Sequence, residues 1–265
     1  MGLAFSIGPI TAPKLGATLL FAVASFFLVA HIWSLNDWAG FSWDRNDPNR
    51  SKTVFSTRGV SAHDILRLSL GLLGLSLLAF TAFSRITWLL AVAIAVLGVF
   101  YSHPALHAKS IPVLSSMTHL VGGVLHFLLG YSVFAPIDRR GILIALFFAL
   151  TFTAGHLNQE VRDYEGDRLN GLATNAVAFG PRAAFVAGLA VFTLAYGDLL
   201  LLAVAAIVPA ALGILAVALY SVHLYWSLAT LRAGLTFERV SGFQRRYRLL
   251  YAVIGLAIGA ALVLR

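Results

Sequence analysis

The chain has 265 residues, of which 59% are hydrophobic and only 11% are charged. Soluble globular proteins carry about 45–50% and about 25%, so this composition excludes a water-soluble domain and predicts a chain solvated mainly by lipid. The lack of cysteine excludes disulfides, thiolate catalysis and Cys-ligated metal centres. In a membrane protein, the net charge of +8 indicates topology and contact with anionic membrane lipids, and we expect no nucleic-acid partner.

Apolar stretches long enough to cross a bilayer, which takes about 20 residues, recur along the whole chain. We expect eight spanning helices, at Gly16–Asn36, Ala62–Phe83, Ile86–Ser102, Val113–Phe134, Gly141–Asn158, Arg182–Gly197, Leu199–Trp226 and Tyr247–Leu264. A break is expected at Gly197-Asp198, a bend at Pro209, and a long basic loop over Ser227–Arg246. The sequence therefore predicts an all-α, polytopic membrane helix bundle that forms one domain over residues 1–265.

The charged residues divide unevenly between the two sides of the eight predicted spans. Fourteen of the nineteen Lys and Arg residues and nine of the eleven acids fall on one side. Because basic loops stay in the cytoplasm, we expect that side to be cytoplasmic and the N-terminus to be extracytoplasmic. Acids and bases gathered at one membrane face predict a polar chamber that opens there.

Two acidic clusters, Asn36–Arg45 and Gln159–Arg168, follow the first and fifth predicted spans. A shift of 123 positions lays Asp44-Arg45 on Asp167-Arg168 and Asp37 on Glu160. This register predicts a diverged duplication, with halves at about 16–135 and 140–265 around a central cavity.

The spacing within each cluster favours a cation site. On a continued helix, Asp163 and Asp167 share one face with Glu160, and Asp37 shares a face with Asp44. Crowded carboxylates repel unless a cation lies between them, and oxygen ligands suit Mg²⁺, which commonly bridges to phosphate. The nearby basic residues could hold a diphosphate directly. The alternative is a pair of solvated helix ends with i,i+4 salt bridges.

These residues resemble the motifs of the UbiA superfamily of intramembrane prenyltransferases. Asp163 to Arg168, followed by Gly171, Thr174 and Gly180, resembles the second aspartate motif of the family. Asn36, Asp44 and Arg45 resemble parts of the first motif, and Arg58–Ser61 resembles its downstream basic element. Tyr101, Pro104 and Lys109 resemble the YxxP…K segment. The resemblance covers nearly the whole chain.

The residue spacing, the histidines at membrane depth and the resemblance together give the following candidate roles. Metal ligands would be Asn36, Asp37, Asp44, Glu160, Asp163 and Asp167. Residues of the reaction centre would be Asp44, Asp163, Asp167, Tyr101 and Lys109. Residues that bind substrate would be Asn36, Arg45, Arg50, Arg58, Arg168, His119 and His126. His119 and His126, seven residues apart on one helix face, could orient an acceptor group or take its proton, although a histidine bonded to a backbone carbonyl is the ordinary alternative.

Two features depart from the family pattern. Gly40 stands where the first motif has its first aspartate, so one expected carboxylate is missing, and Asp37 could substitute for it. The family has nine helices, and the first of them has no counterpart among the eight predicted spans.

The family implies Mg²⁺-dependent transfer of an isoprenoid chain from a polyprenyl diphosphate donor to a hydrophobic, often aromatic acceptor within the membrane. Two alternatives stay open at this point. One is a related terpene cyclase that ionises the same donor and closes the chain on itself. The other is a transporter or lipid-binding protein that has the same architecture without turnover.

Overall fold

The structure, a computed structural model, describes residues 1–44, 47, 49, 55–106 and 108–263, and over these residues it contains helices joined by turns and no strands. The helices are α1 (Gly2–Ser6), α2 (Ala12–Ala39), α3 (Phe41–Asp44), α4 (Ala62–Phe80), α5 (Arg85–Ser102), α6 (Leu114–Tyr131), α7 (Arg139–Arg162), α8 (Tyr164–Leu169), α9 (Asn175–Phe179), α10 (Pro181–Val204), α11 (Ala210–Ala233) and α12 (Phe237–Val263). The predicted all-α class is confirmed.

Several helices begin where a short polar side chain can accept a hydrogen bond from the first turn. The Ser61 hydroxyl accepts from the Asp64 amide at the start of α4, and Ser84 accepts from Thr87 at the start of α5. The Asp138 carboxylate accepts from the Gly141 amide at 2.7 Å at the start of α7. Each such cap satisfies a backbone donor that has no partner within the helix.

Six of the described helices are long and apolar enough to cross a membrane, and these are α2, α4, α5, α7, α10 and α11. Their outer faces carry large apolar side chains, such as Phe26 and Trp33 of α2, each 67% exposed. Such surface is stable only against lipid. The chain is therefore an integral membrane protein, while the count of eight spans stays a prediction.

Three predictions about the last third of the chain were wrong. Helix α10 continues through Gly197-Asp198 to Val204, because its buried face, which includes Tyr196, Leu199 and Leu202, stabilises a glycine-containing helix against a cost of only about 1 kcal/mol. Pro209 does not bend a helix but immediately precedes α11, where its fixed φ and missing N–H are tolerated.

The long loop over Ser227–Arg246 is also not observed. Helix α11 extends to Ala233 and α12 begins at Phe237, so residues 234–236 alone separate them. Gly234, with φ of +101°, ends α11 in a conformation that favours glycine. Arg245 and Arg246 therefore extend from the first turns of a long helix and do not belong to a membrane-surface loop.

The helix bounds repeat at the 123-residue shift. Helix α2 ends at Ala39 and α7 at Arg162, and α6 begins at Leu114 and α12 at Phe237. The packing repeats as well, because α2 packs along α4 and α7 packs along α10. These correspondences support the proposal of two pseudo-repeat halves. They also bring the ends of α2 and α7 to the end of the bundle that carries Asp44, Tyr101 and Asp167, called the motif end below.

Candidate active site

The two acidic clusters meet at the motif end. The Asn170 side-chain amide donates a 3.1 Å hydrogen bond to the main-chain carbonyl of Trp43. Reciprocally, the Asp47 carboxylate packs directly on Gly166, where a Cβ would lie 2.6 Å from the Asp47 Cγ. Trp43 and Asp47 correspond to Gly166 and Asn170 at the 123-residue shift, so each half contacts the same position of the other half. The clusters are thus joined and not splayed apart.

A small polar cleft lies at this junction. It is lined by Asn36, Gly40, Trp43, Asp44, Asp47, Lys109, Gly166, Asp167, Asn170 and Leu172. Three pairs of these residues, namely Trp43 and Gly166, Asp44 and Asp167, and Asp47 and Asn170, are equivalent in the two halves. Both halves therefore contribute oxygen-bearing side chains to a single cleft, as the sequence led us to expect of a shared site.

Asp167 has a strongly perturbed carboxylate in the cleft. Burial, followed by the negative charges of Asp163 and Glu160, raises its pKa to about 7, against the opposing effects of a hydrogen bond from Thr174 and the charge of Lys109. The Thr174 hydroxyl donates this bond at 3.3 Å. A cation bound beside Asp167 would favour its ionised form, so the carboxylate environment suits a positively charged ligand.

Lys109 approaches the cleft from the segment between α5 and α6. Its ammonium lies 4.7 Å from the centre of the Trp43 ring, within the range of a cation–π contact. It also lies near enough to Asp167 to lower the pKa of that carboxyl. Lys109 thus contributes positive charge next to carboxylates from both halves.

Asp163 is bound by its own neighbour. The Arg162 guanidinium donates two hydrogen bonds of 2.7 Å to the Asp163 carboxylate, in a bidentate ion pair that is mostly buried. Arg162 also donates to the side chain of Gln244 on α12, at 3.2 Å. Asp163 therefore sits at the junction of α7 and α8 with its charge already compensated by an arginine.

Glu160, a predicted metal ligand, accepts hydrogen bonds in a buried polar network. The Asn175 main-chain and side-chain amides donate to its Oε2 at 3.0 and 2.8 Å, and the Ser115 hydroxyl donates to its Oε1 at 3.0 Å. His156 Nε2 lies 3.0 Å from the same Oε1. Asn175 also accepts from the Val113 amide at 2.7 Å. These contacts favour a structural role, in which Glu160 joins α7 to the starts of α6 and α9.

Aromatic and imidazole rings connect this network to the interior of the bundle. The His119 and His156 rings stack at 3.6 Å with 9° between their planes, and Tyr101 meets His119 edge-on at 4.9 Å. Phe152 lies 5.1 Å from His119. Tyr101 lies within electrostatic reach of Glu160 and Asp167, so this ring cluster adjoins the acidic residues.

The other predicted residues lie further away or cannot be placed. Among the described residues, Asp37, Arg58 and Arg168 do not line the cleft. Arg58 is exposed, and Arg168 forms an exposed 3.5 Å ion pair with Glu165. His126 lies on α6, two turns beyond His119. Arg45 and Arg50 lie outside the described residues.

The donor atoms of the cleft fit a magnesium ion. Carboxylate oxygens of Asp44, Asp47 and Asp167, with amide oxygens of Asn36 and Asn170, are the hard ligands that Mg²⁺ prefers. In the part of the chain that is described, no three acidic or histidine side chains already converge on one metal position. This arrangement still suits Mg²⁺, which usually keeps several waters and takes one or two carboxylates together with substrate phosphate oxygens.

Sequence reasoning missed several residues. Asp47 and Asn170 line the cleft, and the internal repeat could have identified both, because the 123-residue shift pairs them. Asn175 organises the neighbouring network, but its partner Ser115 is 60 residues away in the sequence. No local pattern marks such contacts.

The fold and the cleft define a polytopic helical membrane protein with a polar, carboxylate-lined cleft at one end of the bundle. Residues 1–235 match the UbiA prenyltransferase family. The chain belongs to this family, as the motifs predicted.

Individual relatives agree with this assignment. The chain is 29% identical over 166 residues to a lycopene elongase/hydratase of Haloferax volcanii, across 61% of this chain and 53% of the relative. It thus spans about half the length of that curated protein. A UbiA homolog from Archaeoglobus fulgidus bound to DMAPP and Mg²⁺ superposes with a TM-score of 0.74 at 19% identity, over 99% of this chain and 92% of the other. The apo UbiA homolog from Aeropyrum pernix gives 0.73 at 19% identity, over 99% and 93%. At this identity the two structures show the shared fold.

Proposed function

We propose that the protein transfers an isoprenoid chain from an allylic polyprenyl diphosphate to a hydrophobic acceptor within the membrane, in a reaction that depends on Mg²⁺. The observation that carries the proposal is the single cleft to which the equivalent residues Asp44 and Asp167 both contribute. The negative charge of a bound diphosphate requires compensation, and so do the charges of two carboxylates that face one cleft. A single cation between them would compensate both. The uneven charge distribution supports a cleft that opens to the cytoplasm.

The residues have separate roles in this proposal. Asn36, Asp44, Asp47 and Asp167 would hold the magnesium ion, which supplies Lewis-acid stabilisation of the leaving diphosphate when bound. Lys109 adds positive charge at the same place. Asp37 and Asp163 remain candidates for the outer part of the site, and Arg45, Arg50, Arg58 and Arg168 for initial capture of the diphosphate at the membrane surface.

The lipid-embedded part of the site would bind the prenyl chain and stabilise the positive charge that develops on it. When the allylic C–O bond breaks, positive charge develops on carbon, and the electron-rich faces of aromatic rings stabilise such charge. Tyr101 and Phe152 stand where the acidic cluster meets the interior of the bundle, so we assign them to the wall beside the reacting carbon. The surrounding apolar helices would exclude water from the cation.

The relatives indicate which substrates to try first. DMAPP and GPP are the diphosphates bound with Mg²⁺ in the Archaeoglobus structures. The name of the Haloferax relative adds lycopene to the candidate acceptors, beside aromatic compounds. An acceptor-free terpene cyclase is the second candidate, favoured by the altered ligand set at Gly40.

The test is pyrophosphate release from purified protein with DMAPP, GPP and longer donors, in Mg²⁺ or in EDTA, with and without acceptor. Release that requires both Mg²⁺ and an acceptor, with a prenylated product, supports transfer. Release with a cyclic product and no acceptor supports the cyclase. No release with any donor contradicts both and leaves a binding or transport function.

A further inference from the structure

Two histidines on one face of α6 have the same fixed tautomer. His119 Nδ1 lies 2.8 Å from the Ser115 carbonyl, and His126 Nδ1 lies 2.8 Å from the Gly122 carbonyl. A carbonyl only accepts hydrogen bonds, so Nδ1 carries the proton in both rings. In the neutral imidazole the other nitrogen, Nε2, is then an unprotonated acceptor.

The two histidines differ in their distance from the cleft. His119 lies between Tyr101 of α5 and His156 of α7, both of which adjoin the acidic cluster. His126 lies seven residues further along α6, which corresponds to about 10 Å along the helix axis. Both side chains are half-buried, so each ring keeps some accessible surface. Only His119 can approach a carbon that is bonded to a diphosphate in the cleft.

Prenyl transfer releases a proton next to the diphosphate. The C–O bond of the donor breaks with its electrons on oxygen, and the donor carbon bonds to an electron pair of the acceptor. The acceptor cation then loses a proton, and the electrons of that bond restore the acceptor's double bond or aromatic ring. This proton needs a base in a site from which water is excluded.

We infer that Nε2 of His119 accepts the proton that the acceptor loses when the new bond forms. This inference rests on the proposed function. The Ser115 hydrogen bond to Nδ1 leaves Nε2 of His119 as the unprotonated nitrogen. The imidazolium that forms would stack on the His156 ring, whose Nε2 lies 3.0 Å from the Glu160 carboxylate. His119 is thus a catalytic residue, whereas Glu160 acts through its neighbours as a positioning residue.

The experiment compares His119→Gln with His31→Gln, which removes another buried histidine whose Nδ1 contacts a main-chain carbonyl, that of Ser69 at 2.9 Å. We expect His119→Gln to lower prenylated product about 100-fold, the scale of general-base catalysis, while Mg²⁺-dependent pyrophosphate release falls less than about threefold. Released donor should appear as prenyl alcohol. Folded His31→Gln should keep product formation within about threefold of the unsubstituted protein.

A second variant guards against misfolding. His119→Ala should regain product about tenfold on addition of imidazole, which no structural role of the ring predicts. The inference is overturned if His119→Gln forms product normally, or if His119→Gln and His31→Gln lose release and product equally and imidazole has no effect. Failure of the unsubstituted protein to release pyrophosphate would instead overturn the proposed function, and this inference with it.

Discussion

The side-chain amide of Asn170 donates a 3.1 Å hydrogen bond to the main-chain carbonyl of Trp43. At the equivalent positions of the other half, the Asp47 side chain packs on Gly166. The two halves of the duplication therefore contact each other through equivalent positions. This reciprocal arrangement fixes the distance between α3 and α8, the two short helices that carry Asp44 and Asp167. It makes a cleft shared by both halves a consequence of the fold.

The tight approach of Asp47 makes position 166 sensitive to size. Gly166→Ala would place a Cβ 2.6 Å from the Asp47 Cγ, so the loop or α8 must move. We expect the free energy of unfolding to fall by about 1–3 kcal/mol, the usual cost of overpacking, and activity to fall at least about tenfold. Thermal unfolding in detergent and pyrophosphate release measure the two effects.

Gly197→Ala provides the matched control, because nothing lies within 4 Å of a Cβ at that helical position. It should be neutral or stabilise the protein by up to about 1 kcal/mol. Asp47→Gly in the Gly166→Ala background should recover part of the stability. Wild-type stability and activity of Gly166→Ala would show that the two halves do not pack as described.

Position 40 tests whether the metal site lacks one ligand. A Cβ there would lie 3.1 Å from Asp44 Oδ2, so Gly40→Asp places a second carboxylate beside Asp44. We expect this variant to keep or raise activity. It should also lower the Mg²⁺ concentration required for half-maximal rate, because an additional carboxylate ligand strengthens the binding of the ion. A magnesium titration of activity gives the result directly.

Gly40→Asn controls for size without the added charge and should leave the magnesium requirement near that of the unsubstituted protein. In EDTA, Gly40→Asp should unfold at a lower temperature than Gly40→Asn, because two adjacent carboxylates repel each other. Complete loss of activity in a folded Gly40→Asp variant would mean that substrate occupies this space.

Asn175 holds a strained residue in place. Val113 has φ of +66°, a conformation that costs a β-branched residue about 1–3 kcal/mol, and its amide donates to Asn175 Oδ1. Asn175→Ala removes that bond and the side-chain donor to Glu160, while the main-chain amide of residue 175 still donates to Glu160. We expect the free energy of unfolding to fall by about 3 kcal/mol, because buried polar groups lose their partners. Denaturation in mixed detergent micelles measures this loss.

Val113→Gly separates the strain from the hydrogen bonds. The Val113 side chain is 53% exposed, so its removal loses little packing, while glycine adopts the positive φ without strain. The substitution should raise stability by about 1 kcal/mol and offset part of the Asn175→Ala loss. If Val113→Gly lowers the free energy of unfolding both in the wild-type protein and in Asn175→Ala, the backbone of Val113 is not strained.

The sequence was sufficient to predict most of the helices, and the duplication stays a prediction that the repeated helix bounds support. Apolar length located α2, α4, α5, α6 and α7 to within a few residues, because lipid imposes one length on every span. The predicted break at Gly197-Asp198 was wrong because tertiary packing stabilised a helix that local propensity disfavours. The extent of α12 was missed for a related reason, since its first turns are polar and do not resemble a span.

The site could be predicted only in part. Spacing and family resemblance identified Asp44 and Asp167, which do line one cleft. The spacing also predicted Glu160 as a metal ligand. A carboxylate at this helical spacing from Asp163 gives the same sequence pattern whether it faces an ion or hydrogen-bond donors. Its donors belong to Asn175 and Ser115, and only the tertiary fold brings those residues to it.

The most direct test of the shared cleft is Mg²⁺-dependent pyrophosphate release by Asp167→Asn and Asp44→Asn, compared with Glu165→Gln. Glu165 lies on the same short helix as Asp167, but its side chain is 60% exposed and pairs with Arg168 at the surface. Release should fall at least about 100-fold in each aspartate variant, because each removes a metal-binding charge, and should stay within about twofold in Glu165→Gln. Full magnesium-dependent release by folded Asp44→Asn and Asp167→Asn variants would contradict a site built from both halves.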